Sequence, residues 1–168
     1  MKKIFFFTFI SFLFVSSSIK AQYVENKNYL GPSIGFAWHG STGEFGVNYE
    51  HSIDKNFSIG GILRFYSYNE TVWSNKWSYS YIFIGAQGNY HLLLDDRKLD
   101  PFFGLVLGFS SYSLNVPAGV SASGSSGLFL GAHASFRYWL NPNIGVMARL
   151  NFGNLDYGGL DIGVDFKF

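Results

Sequence analysis

The last nine residues, Leu160-Asp-Ile-Gly-Val-Asp-Phe-Lys-Phe168, place an apolar side chain at every even position and a small or charged one at every odd position. Strict period-2 alternation marks a β-strand with one apolar and one polar face. The pattern is not isolated. Seven more alternating segments precede it, divided by turn-forming clusters. Downstream of residue 22 no segment has a helical period, and no internal repeat stands out.

Segment 30–39 sets Leu30, Pro32, Ile34, Phe36 and Trp38 against Gly31, Ser33, Gly35 and Ala37. The second sets Phe45, Val47 and Tyr49 against Glu44, Gly46, Asn48 and Glu50; the third sets Ile59, Leu63 and Phe65 against Ser58, Gly60, Arg64 and Tyr66. In segment 78–92, Ile82, Ile84, Ala86 and Tyr90 oppose Phe83, Gly85, Gln87, Asn89 and His91. A charged turn is expected at 94–100. Segments 101–112, 127–139 and 144–152 follow, with His133, Ser135, Arg137 and Arg149 on their polar sides.

Alternation alone does not say which face is outside, since a soluble eight-stranded barrel hides its apolar face. Two features argue for apolar side out. No Asp, Glu, Lys or Arg falls on the apolar face of any segment, and Tyr, Trp and Phe cap that face near segment ends, as interfacial girdles require. The polar face is mostly Gly, Ser, Asn and Ala. That is too lightly charged for a wetted exterior, but it suits a narrow interior.

The start of the chain bears on compartment. Met1-Lys2-Lys3 is a short cationic region, residues 4–15 are apolar apart from Thr8 and Ser11, and Ser16-Ser-Ser-Ile-Lys-Ala21 offers a cleavage site before Gln22. This is the layout of a secretory signal peptide, and its apolar core is too short to span a bilayer as a helix. Residues 1–21 are read as leader and 22–168 as a single barrel domain. Without Lys2, Lys3 and Lys20, the 12 basic residues fall to nine against 11 acidic ones. A near-neutral chain has no polybasic footprint, so nucleic acid is not expected as a partner. Charged residues make up 14% of the chain against 20% aromatics, where an ordinary domain carries roughly 25% charge. There is no cysteine, hence no disulfide and no thiolate metal site.

The interior face collects the chemistry: Glu44, Glu50, Asp161 and Asp165 as acids, Arg64, Arg137, Arg149 and Lys167 as bases, with His91 and His133 beside them. An eight-stranded barrel has a lumen that side chains just fill. Opposite charges confined there are expected to pair, since an unpaired one carries a desolvation cost of several kcal/mol. The reading is a salt-bridged plug. Its alternative is a narrow pathway for ions or small solutes through the same charges.

Pro101-Phe-Phe-Gly-Leu-Val-Leu-Gly-Phe109, Gly131-Ala-His-Ala-Ser-Phe-Arg-Tyr-Trp-Leu-Asn-Pro-Asn-Ile-Gly145 and the terminal strand ending in Phe168 together resemble the small outer-membrane β-barrel domain family. It includes OmpA-like, OmpX-like and OmpW-like barrels and bacterial "porin family" proteins. Ser135 stands where many members have Gly before the Arg-Tyr pair. The resemblance implies an outer-membrane location, outer-membrane lipid as surroundings, and the barrel assembly machinery as a partner that reads Phe168 as its assembly signal. It does not imply a function.

His133-Ala-Ser135 resembles the His-x-Ser of lipid A deacylase barrels. Phe136 and Met147 stand where that family has an Asn and an acid, and the lumen face is not where those enzymes work. No catalytic residue is assigned. Two histidines are a poor ligand set, so no metal and no cofactor are expected. Trp77 and Trp73, in the loop after Asn69, are placed at the headgroup level, or else stack on a sugar or partner. The segment from Ser113 to Ser126 reads as a flexible Gly/Ser/Ala loop. The reading that results is all-β: an eight-stranded antiparallel up-and-down transmembrane β-barrel. It is non-enzymatic, with a structural or surface-interaction role and an unknown surface ligand.

Overall fold

The computed structural model describes residues 23–72, 75–115 and 126–168; the leader expected at 1–21 lies outside them. Eight strands form one closed barrel in chain order: β1 (Asn28–Ala37), β2 (Thr42–Ser52), β3 (Phe57–Val72), β4 (Asn75–His91), β5 (Leu99–Asn115), β6 (Gly127–Trp139), β7 (Ile144–Gly153) and β8 (Gly159–Lys167). Every neighbouring pair is antiparallel, and β8 closes on β1. Among the described residues no helix is long and apolar enough to cross a membrane.

One register row runs from Ser110 through Phe83, Arg64, Gly46, Ser33, Gly163, Met147 and Arg137 to Asp100. It re-enters β5 ten residues from where it left. That stagger is the barrel's shear, and with eight strands it sets the strand tilt and a lumen only wide enough for side chains.

Turn chemistry fits the ends of the strands. The Asp54 carboxylate accepts from the backbone N–H of Asn56 at 2.7 Å and of Phe57 at 2.8 Å, and these bonds hold its carboxyl below the usual range. Asn141 does the same for Asn143 and Ile144. The first strand stops at Ala37 rather than His39. There Gly40 (φ 70°) and Ser41 (φ 45°) enter the left-handed region and form a 3-10 turn over His39–Ser41. The charged turn also ends sooner than 94–100 suggested. Leu99 and Asp100 already belong to β5, because the alternation that points Phe102 inward extends back through Pro101 to Asp100.

The faces are apolar out and polar in. Ile34, Phe45, Ile84, Leu105, Leu128 and Ile162 are all more than half exposed, whereas Glu50, Arg137, Asn151 and Asp165 are fully buried. A continuous exposed apolar wall around a charged interior inverts the order of a soluble protein and matches a lipid-facing band.

The order reverses on one side at the end away from the termini. β3, β4 and β5 rise past their neighbours, since β2 pairs with β3 only up to Tyr66 and β6 pairs with β5 only up to Ser110. On this extension the outward face changes from Phe65, Ile82 and Phe109 to Ser67, Asn69, Thr71, Lys76, Ser78, Ser80, Ser111 and Ser113. The inward face becomes aromatic: Tyr66, Tyr68, Tyr79, Tyr81 and Tyr112. Serine and asparagine outside mean water outside, so this part stands clear of the bilayer.

Candidate functional site

The candidate site is the lumen, built in three layers from inward positions of all eight strands. Nearest the termini, Arg137 of β6 is a hub. Its Nε donates to Asp165 at 2.5 Å, Nη1 to Asp100 at 2.7 Å and Nη2 to Glu50 at 3.2 Å. The three carboxylates come from β8, β5 and β2, so one guanidinium ties the barrel across its width. His91 joins them, with Nδ1 2.7 Å from Asp100 and Nε2 3.1 Å from Glu50. Around the hub lie Tyr29, Phe102 and Trp139, with their ring centres 4.8–5.3 Å from the guanidinium carbon. Lys167 sets its Nζ 4.6 Å over the Trp139 ring. Tyr23 covers this end from outside the sheet. Its ring stacks on His91 at 3.7 Å and its hydroxyl donates to the Phe57 carbonyl at 2.9 Å.

The middle layer is polar. Arg149 donates from Nε to Ser135 at 3.2 Å and from Nη1 to Gln87 at 3.4 Å, and Gln87 donates to Asn48. Arg149 Nη2 and Asn48 Nδ2, both buried, have no hydrogen-bond partner. Among the described residues Arg149 makes no ion pair.

Farther from the termini, Arg64 bonds Glu44 and lies 3.7 Å from Asp161, which accepts from Asn151 at 2.8 Å. Above Arg64 the lumen is aromatic. Tyr157, from the β7–β8 connection, packs its ring face against the guanidinium at 4.7 Å and stacks on Phe129 at 4.7 Å. Its connection turns inward through Leu155 and Asp156, both at positive φ. Tyr66 donates to the Asp156 carbonyl, and His39 pairs with the Asp156 carboxylate at 3.1 Å.

Of the eight charges named from the sequence, Glu44, Arg64 and Asp161 gather in one cluster, and Glu50, Arg137 and Asp165 in another. Arg149 stands between them, and Lys167 lies at the mouth. Phe168 is outside the lumen; it and Asn28 exchange both backbone hydrogen bonds at 3.0 Å. Sequence pattern alone misses Asp100, which falls within the charged turn expected at 94–100. Tyr23 and Tyr157 left no signal, since neither belongs to an alternating segment.

Ser135 and His133 do meet, with Oγ 2.8 Å from Nδ1 and the other ring nitrogen 3.0 Å from Asn89 Oδ1. That is nucleophile-to-base reach. Yet Arg149 already donates to the same Oγ, and all of these side chains are buried in the wall. Among the described residues no group of three or more His, Asp or Glu side chains is placed to hold a metal. Trp77 does not sit at the headgroup level on the lipid face. It lies opposite Glu70 on the inward face of the extension.

No protein-family model and no curated protein matches the chain. Solved structures do. The outer membrane protein OprG from Pseudomonas aeruginosa superposes with a TM-score of 0.70 at 9% identity, covering 90% of this chain and 99% of that one. Neisserial surface protein A gives 0.55 at 21% identity, over 84% and 95%. Ail, the attachment invasion locus protein of Yersinia pestis, solved with the heparin analogue sucrose octasulfate, gives 0.60 at 16% identity, over 86% and 100%. At these identities the likeness is one of fold. The chain has the fold of the small eight-stranded barrels of bacterial outer membranes.

Proposed function

We propose that this barrel is an integral outer-membrane protein with a side-chain-plugged lumen and a surface-interaction role exercised at its raised, far end. The observation that carries the reading is the Arg137 hub. A solute crossing the lumen would have to part a fully buried guanidinium from three carboxylates on three strands. Separating such a group leaves uncompensated buried charge, at a cost of about 3–5 kcal/mol. With the longer connections turned outward, as in barrels of this kind, the extension of β3, β4 and β5 is on the cell-surface side. Its size and exposure support recognition there rather than passage through the middle.

The sulfated ligand of the Ail complex is not carried over. Among the described residues the inward face of the extension has no Lys or Arg to hold sulfate. The test of the plugged lumen is single-channel recording of the refolded chain in planar bilayers. Rare or absent conductance is expected. Large, steady conductance altered by charge reversal at Glu50 or Arg137 would overturn the plug in favour of a narrow channel.

A further inference from the structure

Among the described residues the inward face of the extension combines tyrosine hydroxyls with a single carboxylate, Glu70, and we propose that it binds a neutral oligosaccharide. The proposal rests on the reading of the far end as the cell-surface side and names the partner class for it.

Ring orientation decides what the face offers. Tyr68 and Tyr79 stack on each other at 4.7 Å with planes 7° apart, and Tyr66 and Tyr81 at 4.8 Å with planes 19° apart. Tyr112 meets Tyr81 edge to face at 5.0 Å. The ring faces are thus largely taken up by one another, and a ligand approaching from the mouth meets ring edges and hydroxyls. Aromatic edges carry the positive side of the quadrupole. They attract oxygen lone pairs and give a cation little, so the face-on cation–π mode is largely spent here.

Charge excludes the opposite class. Glu70 projects from this face beside the Tyr79 hydroxyl and directly opposite Trp77. The nearest lysine along the strands, Lys76, is on the other face of the sheet. The basic group that touches the tyrosines, His39, bonds the Tyr68 hydroxyl at 2.8 Å and is paired with the Asp156 carboxylate at 3.1 Å, so phosphate and sulfate meet two carboxylates and a cation that is already taken. What remains complementary is a neutral molecule rich in hydroxyl groups. Its hydroxyls donate to the Glu70 carboxylate and exchange hydrogen bonds with the tyrosines, and its C–H faces rest on the half-buried Trp77. Tyr68, Tyr79 and Tyr112 are themselves only half-buried, so the surface is open to such a ligand.

The experiment uses the full chain refolded in a zwitterionic detergent that has no sugar headgroup. Maltohexaose, chitohexaose, a heparin hexasaccharide and hexa-arginine are each titrated and followed by tryptophan fluorescence. Saturable binding of at least one of the two neutral sugars is expected, insensitive to salt. Tyr79→Phe and Tyr112→Phe, which keep the rings and remove the hydroxyls, should each weaken it about fivefold, the worth of one hydrogen bond. Glu70→Gln should weaken it about tenfold, as loss of a charge-assisted bond implies. The proposal is overturned if neither neutral sugar binds below about 10 mM, a limit weaker than −4 kcal/mol. It is also overturned if only heparin or hexa-arginine binds, or if the three substitutions leave sugar affinity unchanged. Orientation is judged separately. The chain has no cysteine, so Lys76→Cys should react with a membrane-impermeant maleimide on intact cells. If it reacts only after permeabilisation, the surface reading falls even where sugar binding stands.

Discussion

Arg149 and Asp161 stand directly opposite each other in the β7–β8 register, yet they do not pair. The guanidinium bonds Ser135 and Gln87, while Asp161 takes Asn151 and lies near Arg64. The two buried arginines of β6 and β7 therefore play unequal parts. Arg137 holds three carboxylates and Arg149 none.

This inequality gives the first prediction. Arg137→Met should destabilise the barrel by about 3–5 kcal/mol, because three carboxylates lose their cation at once. Arg149→Met should be near neutral or stabilising, since it replaces a buried charge that lacks an ion-pair partner with an apolar side chain of similar length. Urea unfolding in liposomes separates the two. Equal losses would show that Arg149 is held by its uncharged neighbours as firmly as Arg137 by its acids.

A second test concerns the faces. Leu105, in the middle of the outward row of β5 and 66% exposed, should reject charge: Leu105→Arg is expected to cost about 2–4 kcal/mol near the bilayer midplane. Gln87→Glu in the lumen should be tolerated. It gives Arg149 a carboxylate, and the unbonded Asn48 Nδ2 an acceptor. Both are read from the same unfolding curves, and the reverse order would turn the barrel inside out.

Two glycines on adjacent strands should behave in opposite ways. A methyl group at Gly60 would run into the Tyr49 carbonyl and come within 2.9 Å of the Glu50 Cα, whereas at Gly88 it would meet nothing within 4 Å. Backbone cannot swing aside, so Gly60→Ala should be clearly destabilising and should disturb the β2–β3 ladder. Gly88→Ala should stabilise by up to about 0.5–1 kcal/mol through lost chain entropy. Thermal midpoints of the two variants in one detergent check the contrast.

Much of this arrangement is legible in the sequence. Period 2 persists through all eight strands, so the parity that sends Leu107 to lipid also sends Val106 and Gly108 inward, and the lumen list follows by counting. Counting fails where the chain leaves the sheet or where residue type disguises parity. Asp100 has the look of a turn residue because five of the six residues from Asp95 to Asp100 are charged, and only the β5–β6 register with Arg137 reveals it as lumen. Pairing is a further step. Alternation tells that Arg149 points inward, but not that it turns toward Ser135 rather than Asp161, because that choice depends on distances across the barrel.

The Asp54 turn supplies a pH test with a fixed sign. Its carboxyl titrates below the ordinary value because two backbone N–H groups bond the ionised form. A lowered folded-state value means that the contribution is present above the unfolded carboxyl value and is lost as pH falls through the folded one. Asp54→Ala should therefore lower the urea midpoint at pH 7. The gap to wild type should narrow as pH falls below the unperturbed aspartate value of about 3.9. A gap that stays constant from pH 7 to that range would remove the charge from the explanation.

Phe168 should matter more to assembly than to the finished barrel. Its side chain is 61% exposed on the lipid side, and burying one such ring is worth about 1.5–3 kcal/mol at most. Phe168→Ser is expected to deplete heat-modifiable protein from outer-membrane fractions while leaving the unfolding free energy of purified, refolded barrel within that range. Undiminished amounts in the membrane would show that the residue is not read during insertion.

The pairing of Asn28 with Phe168 has one more consequence. With β8 bonded to β1, the sheet is a ring, and in a ring no strand is first. A short linker across that seam, with a cut at the β5–β6 connection, would leave all eight ladders as they are. The order in which the strands are made then matters to synthesis and insertion, and among the described residues the closed barrel keeps a trace of it in Tyr23, which reaches the lumen mouth from just before β1.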